Sequence, residues 1–253
     1  MVVPSDSADI PPELLADYRR AVAMQVVDIK ACADRLDRNP TDREALEIFR
    51  REVHKVRGSA GSYGFPDASD LAAGMEETAK EWIAHADEVQ MDRGAVARWF
   101  TDRLAEFVTP DAGGTLAPSG GRPLAGETTV PEVICVEDDH SLVELLAYGL
   151  ESRGYRYATF NNGAQALEAL LTLETGGRRP LVLLDVDLPG LDGFSLFERL
   201  EAERPGVYRI VFTSVHSQEE EQMRALEAGA LDYLIKPISL RVVLEKVRRW
   251  VGR

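Results

Sequence analysis

Four places in the second half of the chain carry groups fit for metal or phosphoryl chemistry, and each follows a short apolar run. Glu137-Asp138-Asp139 follow VICV. Asp185, with Asp187, Pro189 and Gly190 behind it, ends LVLLD; Thr213-Ser214 follow YRIVF; Lys236-Pro237 follow YLI. Carboxylates gathered at one spot repel and raise one another's pKa unless a cation lies among them, and an all-oxygen ligand set that keeps several waters suits Mg2+. An ammonium and a hydroxyl complete an anion pocket. Metal, ammonium and hydroxyl around one carboxylate are what holds a phosphoryl group in line and spreads its charge during transfer.

The first half offers one comparable residue, His54, in HKVRGSAGSYG. On a helix, Arg57 falls one turn away on the same face and Gly58 lies directly beside the imidazole. Glycine within a helix costs about 1 kcal/mol against alanine, so Gly58, Gly61 and Gly64 in one segment need a reason. Access to the ring supplies it: without a side chain at Gly58 another protein's backbone can approach. Arg57 can offset negative charge on a phosphorylated ring, and imidazole nitrogen is a competent nucleophile near neutral pH. The remaining histidines read as ordinary: His85 ends a helix, His140 begins or caps one, and His216 is solvated in the loop after Thr213.

The elements that must position these groups differ between the halves. Glu13 to Leu36, Arg43 to Ser62, Ala68 to His85 and Gly94 to Phe107 show apolar spacings of three and four, which predicts four helices. Thr41, Asp67 and Asp92 are the expected N-caps. Four amphipathic helices joined by short loops make a bundle. From residue 131 onward short apolar runs alternate with helical stripes. Strands are expected at Val133–Val136, Ala158–Phe160, Leu181–Leu184, Tyr208–Phe212 and Tyr233–Ile235, with helices at Leu142–Ser152, Ala164–Leu173, Phe194–Glu203, Glu219–Ala228 and Leu240–Val251. That order predicts a doubly wound α/β fold: a five-stranded parallel sheet with helices on both faces and its ligand site at the carboxyl ends of the strands. The acidic runs Glu201–Glu203 and Glu219–Glu221 read as solvated helix faces.

Gly, Pro, Ser and Thr dominate between the halves. The expected division is therefore a helical bundle over residues 1–109, a flexible linker over 110–130 and an α/β domain over 131–253. A tether of that length has an r.m.s. reach of roughly 25 Å, enough for the two reactive sites to meet within one chain. The chain has 253 residues, 45% of them hydrophobic, which is more than one small domain usually holds. Lys and Arg number 29 against 43 Asp and Glu, a formal net charge of -14. A field of that sign argues against binding nucleic acid or an anionic membrane. With no spanning apolar run and no signal-like N-terminus, a cytoplasmic protein is expected. Cys32 and Cys135 are expected to be reduced and packed, not bridged.

Residues 131–253 resemble the receiver domain of bacterial response regulators, on VICVEDD, LLDVDLPGLDG, IVFTS and AGALDYLIKP in that order. The resemblance implies a flavodoxin-like fold with Asp185 as phosphoacceptor. It implies Asp138 and Asp185 as carboxylate ligands of Mg2+, Glu137 as a ligand through water and Asp187 through its main-chain carbonyl, with Asp139 outside. Thr213 would hydrogen-bond the phosphoryl group, Lys236 would pair with it, and Tyr233 would rotate inward on activation. The plainer reading of Tyr233 is a half-buried aromatic of an edge strand.

Residues 41–64 resemble the histidine phosphotransfer domain, whose motif sets a phosphorylatable histidine before a basic residue, Gly and Ser; HKVRGSAG fits, with arginine where lysine is commoner. Together the two resemblances imply a two-component phosphorelay protein. His54 would exchange phosphate with receiver aspartates, and Asp185 would accept it with Mg2+. Partners would be a sensor histidine kinase and other receiver or phosphotransfer proteins. Nothing here resembles the ATP lid of a histidine kinase or a basic DNA reader, so donor and output are expected on other proteins. Two other readings stand beside this one. Asp185-Val-Asp187 resembles the nucleophile motif of haloacid-dehalogenase-type phosphatases, although those take their remaining metal ligands from a later strand, whereas Glu137 and Asp138 follow the first; and both sites could be inert docking surfaces.

Overall fold

The computed structural model describes residues 10–108 and 130–252. The expected linker, apart from Val130, lies outside the described residues. The chain divides into two compact units.

The first unit holds four α-helices among the described residues: α1 (Pro12–Arg38), α2 (Arg43–Ala60), α3 (Pro66–Ala84) and α4 (Arg93–Val108). A single 3-10 turn over Gly61–Tyr63 follows α2. Its core is the set of buried apolar positions three and four apart: Val22, Ile29, Ala33 and Leu36 of α1, Leu46, Phe49, Val53 and Val56 of α2, Leu71, Met75 and Trp82 of α3, and Phe100 and Leu104 of α4. Phe49 lies at the centre, stacked on Trp82 at 5.8 Å and edge-on to Phe100 at 6.1 Å. Two capping expectations need correction. Asp42, not Thr41, caps α2, accepting from the Ala45 N–H, while the Thr41 hydroxyl donates to Asn39. Asp67 lies inside the first turn of α3, which starts at Pro66. Asp92 does accept from the Ala95 N–H at the start of α4.

The second unit is a five-stranded parallel sheet in the order β2-β1-β3-β4-β5. The strands are β1 (Val133–Val136), β2 (Tyr157–Phe160), β3 (Leu181–Asp185), β4 (Arg209–Ser214) and β5 (Asp232–Ile235). The helices between and after them are α5 (His140–Ser152), α6 (Gly163–Thr172), α7 (Gly193–Glu203), α8 (Glu219–Glu227) and α9 (Leu240–Val251). The central strands β1 and β3 are buried along their whole length, as a sheet covered on both faces requires. β4 runs two residues beyond its expected end, because Thr213 pairs in register with Asp185 and Ser214 with Ile235. The chain leaves β1 toward β2 on one side and returns to β3 on the other. Their carboxyl ends therefore flank the switch point where such folds hold ligands. Cys32 and Cys135 are buried and free.

Candidate functional site

The parallel topology brings the carboxyl ends of β1, β3, β4 and β5 to one edge, and the predicted groups meet there. One carboxylate oxygen from each of Glu137, Asp138 and Asp185 lies within 4.8 Å of the others. Lys236 reaches in from β5, its Nζ 2.6 Å from Glu137 Oε1 and 3.0 Å from Asp185 Oδ2. Thr213 Oγ1 donates to Glu137 Oε2 at 3.5 Å. Glu137, Asp185 and Thr213 are buried, and Asp138 is exposed at the mouth. Asp185 Oδ1 is buried and has no hydrogen-bond partner. A buried carboxylate oxygen without a donor, beside two further carboxylates, suits a hard divalent cation.

The electrostatics follow from that crowding. Burial, opposed by Lys236 and reinforced by Asp185, pushes the Glu137 carboxyl up to about 8. Burial and Asp185 also push Asp138 up. Burial pulls Lys236 down, but Glu137 and Asp185 outweigh it and hold the ammonium above its ordinary value. Since Glu137 titrates higher in the fold than its ordinary 4.5, ionising it disfavours the folded state. Without divalent cation, stability of this unit is expected to fall as pH rises from about 4.5 to about 8, and Glu137→Gln to flatten that fall. Thermal unfolding in EDTA across this range measures both; identical slopes for the two proteins would refute the account.

The other predicted residues are placed as follows. Asp139 caps α5, accepting from the N–H groups of Ser141 and Leu142, and so is committed elsewhere. The Asp187 side chain points out of the cluster and pairs with His216, 3.0 Å away. His216 is therefore not simply solvated, and it ties the loop after β4 to the loop after β3. Tyr233 lies in edge strand β5, but its ring is buried rather than half-buried, 8% exposed. Its single hydroxyl proton is shared between the His216 carbonyl at 3.2 Å and Glu221 at 3.4 Å, so one member of that acidic run has a structural partner. His140 begins α5 and His85 ends α3, as expected.

In the first unit, the His54 side chain is 64% exposed on α2. A Cβ added at Gly58 would meet nothing within 4 Å, so the surface beside the ring is open. Sequence reasoning missed Glu76 of α3. Its carboxylate is almost fully buried, with Oε1 3.1 Å from His54 Nδ1 and Oε2 accepting from Arg57 at 2.9 Å. Lys80 lies 3.6 Å from Oε1. Burial raises the Glu76 carboxyl, but Arg57, Lys80 and His54 together outweigh it and hold its pKa below the ordinary value. An ionised carboxylate only accepts, so the contact with Glu76 makes Nδ1 the donor and selects the tautomer of neutral His54 whose lone pair is on Nε2. The signal was available: Glu76 falls on the apolar stripe of α3, four after Ala72 and three before Ala79, where an acid needs a partner.

Comparison with known proteins bears on both units. Residues 12–108 match the Hpt domain model, and residues 133–248 match the response regulator receiver domain model. The first match extends over all four helices, well beyond the motif around His54. Among curated relatives, the chain is 36% identical over 126 residues to the sensor histidine kinase GacS of Pseudomonas protegens, covering 48% of this chain and 13% of that protein. It is 34% identical over 122 residues to the alkaline phosphatase synthesis transcriptional regulatory protein PhoP of Bacillus subtilis, covering 48% and 49%. The chain thus spans about half the length, or much less, of these relatives. A solved receiver domain of a Pseudomonas aeruginosa sensor histidine kinase, with magnesium ion coordinated in its active site cleft, is 28% identical over 49% of this chain and 98% of its own, with a TM-score of 0.42. No helix among the described residues is long and apolar enough to cross a membrane. The chain therefore carries an Hpt domain at residues 12–108 and a response regulator receiver domain at residues 133–248.

Proposed function

We propose that the chain relays phosphoryl groups between imidazole and carboxylate, with His54 the phosphohistidine and Asp185 the phosphoaspartate. The observation that carries this reading is the set of partners around the two acceptors. His54 has Nδ1 against the buried Glu76 carboxylate and an exposed ring, and Asp185 has an unpartnered oxygen beside a lysine and a hydroxyl. In the transfer a P–N bond to the histidine Nε2 breaks, a P–O bond to the acceptor carboxylate forms, and the lone pair returns to Nε2. Glu76 holds the ring's tautomer throughout, and Arg57 lies one turn away from the negative charge the ring acquires. At the receiver, Lys236 and Thr213 would pair with phosphoryl oxygens. Mg2+, held by Asp138 and Asp185, by Glu137 through water and by the Asp187 carbonyl, would neutralise charge on the oxygens being transferred. Donors and acceptors would be histidine kinases and other receiver or Hpt proteins of the cytoplasm.

Incubation with a small phosphodonor and Mg2+ followed by intact mass tests the reading. The wild type is expected to gain one phosphate, Asp185→Asn none, and the same reaction in EDTA none. His54→Ala is expected not to load from a phosphorylated receiver that loads the wild type. An unchanged wild-type mass would favour an inert docking scaffold, and turnover of a chromogenic phosphoester would favour the phosphatase.

Glu76 gives a more discriminating prediction. Glu76→Ala is expected to slow loading of His54 by roughly 10- to 100-fold, the range found when the carboxylate behind a metal-bound histidine is removed. Glu76→Gln, which can still accept at Nδ1, should lose less. Equal rates for all three proteins, measured by radiolabel transfer, would remove Glu76 from the site.

A further inference from the structure

At the opposite edge of the receiver sheet from Asp185, where the strands begin, a cleft of about 430 Å3 is lined by Pro131, Glu132, Arg156, Arg178, Arg179, Pro180, Arg209 and Val251. Four arginines against one glutamate give this lining a charge of +3, in a chain whose formal charge is -14. The segments come from separate parts of the chain. Pro131 and Glu132 lead into β1, Arg156 stands before β2, Arg178 to Pro180 lead into β3, Arg209 opens β4, and Val251 ends α9.

Two of the guanidinium groups are held by backbone. Arg209 donates through Nε and Nη2 to the Arg179 carbonyl, at 3.1 and 2.8 Å, and through Nη1 to the carbonyl of Trp250. Arg156 donates to the Val130 carbonyl and pairs with Glu132 at 3.3 Å. Arg178 and Arg179 stand exposed on the turn after Gly176 and Gly177, and among the described residues no carboxylate lies within ion-pair distance of either. Burial, and after it the neighbouring Arg179, lower the Arg209 pKa. Arg178 and Arg179, with no carbonyl or carboxylate taking up their forks among the described residues, stand beside two anchored guanidinium groups, and like charges set together in this way complement an anion of several charges.

We infer that this cleft binds a small di- or triphosphate, inorganic or borne on an organic group, at a site separate from the phosphoacceptor. Guanidinium forks match phosphate oxygens in pairs, and a charge of +3 matches that of a di- or triphosphate better than that of a monoanion. Pro131, Pro180 and Val251 add apolar surface against which an organic group can lie. The volume falls within the usual range for small-molecule sites.

Calorimetric titration of the full chain with pyrophosphate tests this, carried out in EDTA so that the acidic edge has no metal through which to bind phosphate. Saturable binding at one site is expected. It should weaken at least about 10-fold in the double variant Arg178→Glu/Arg179→Glu and by less in Arg178→Gln/Arg179→Gln, and should weaken as salt rises. Asp185→Asn should bind as the wild type does. A parallel titration with ADP distinguishes the sources: tighter binding than pyrophosphate indicates an organic group on the apolar rim, and equal binding indicates recognition of phosphate alone. Both arginines are exposed loop residues, so the variants keep the fold, checked by circular dichroism. No saturable heat with the wild type, or equal affinity in the charge-reversed variant, would overturn the inference.

Discussion

Lys236→Met is expected to slow phosphorylation of Asp185 by at least about 100-fold, the scale on which removal of a preorganised charge acts in phosphoryl and acyl transfer. The Lys236 side chain is 12% exposed, and its ammonium lies against two carboxylates that are 3% and 4% exposed. Removing it leaves Glu137 and Asp185 facing each other with no cation between them. Breaking a buried pair from one side costs about 3–5 kcal/mol, because the remaining charge stays uncompensated. Part of that loss is recovered near neutral pH, since Glu137 already titrates near 8 and would be driven higher without Lys236. Stability loss in EDTA should therefore be larger at high pH than at low pH, where the carboxyl is neutral in both proteins. An intact-mass time course and thermal unfolding at two pH values measure the two effects. A variant phosphorylated at the wild-type rate would remove Lys236 from the chemistry.

Gly193→Ala is expected to destabilise the receiver unit by about 3 kcal/mol, at the upper end for overpacking a filled site, and to lower phosphorylation with it. A Cβ at Gly193 would stand 2.1 Å from the Asp185 carbonyl oxygen, 3.0 Å from its carbon and 3.1 Å from Val186 Cα. All three are backbone atoms, so no side chain can rotate to make room. The Gly193 N–H also donates to the Val186 carbonyl at 2.9 Å, which ties the start of α7 to the segment that presents Asp185. Relief of the clash must move either the helix or the acceptor. Gly154→Ala provides contrast: no atom crowds a Cβ there, and only the positive φ of 67° opposes it. Its effect should be confined to stability, leaving phosphorylation of the folded protein unchanged. Chemical unfolding and phosphate incorporation measured together separate the two variants. A Gly193→Ala protein as stable as the wild type would show that the strand end yields more readily than its packing implies.

Periodicity made the architecture legible. Strands alternating with helices close as a parallel sheet with right-handed crossovers, so residues just past each apolar run must share one edge. That rule alone joins Glu137, Asp138, Asp185, Thr213 and Lys236, which lie up to 99 residues apart. The glycine anomaly beside His54 had the same local origin. Capping was less readable. Thr41 and Asp42 are both good caps, and a shift of one residue in the helix start decides between them.

Tertiary packing decided the rest. Glu76 meets His54 only through the register of α3 against α2, and a stripe of apolar residues specifies that face without specifying its rotation to within one side chain. His216 finds Asp187 because two loops from neighbouring strands lie side by side, and loop paths follow no periodicity. The arginine cleft assembles from five segments whose charges look like ordinary solvated residues until the strand starts align. Chain pattern fixes which face a residue occupies, because burial has a period; which partner it meets there depends on long-range contacts that have none.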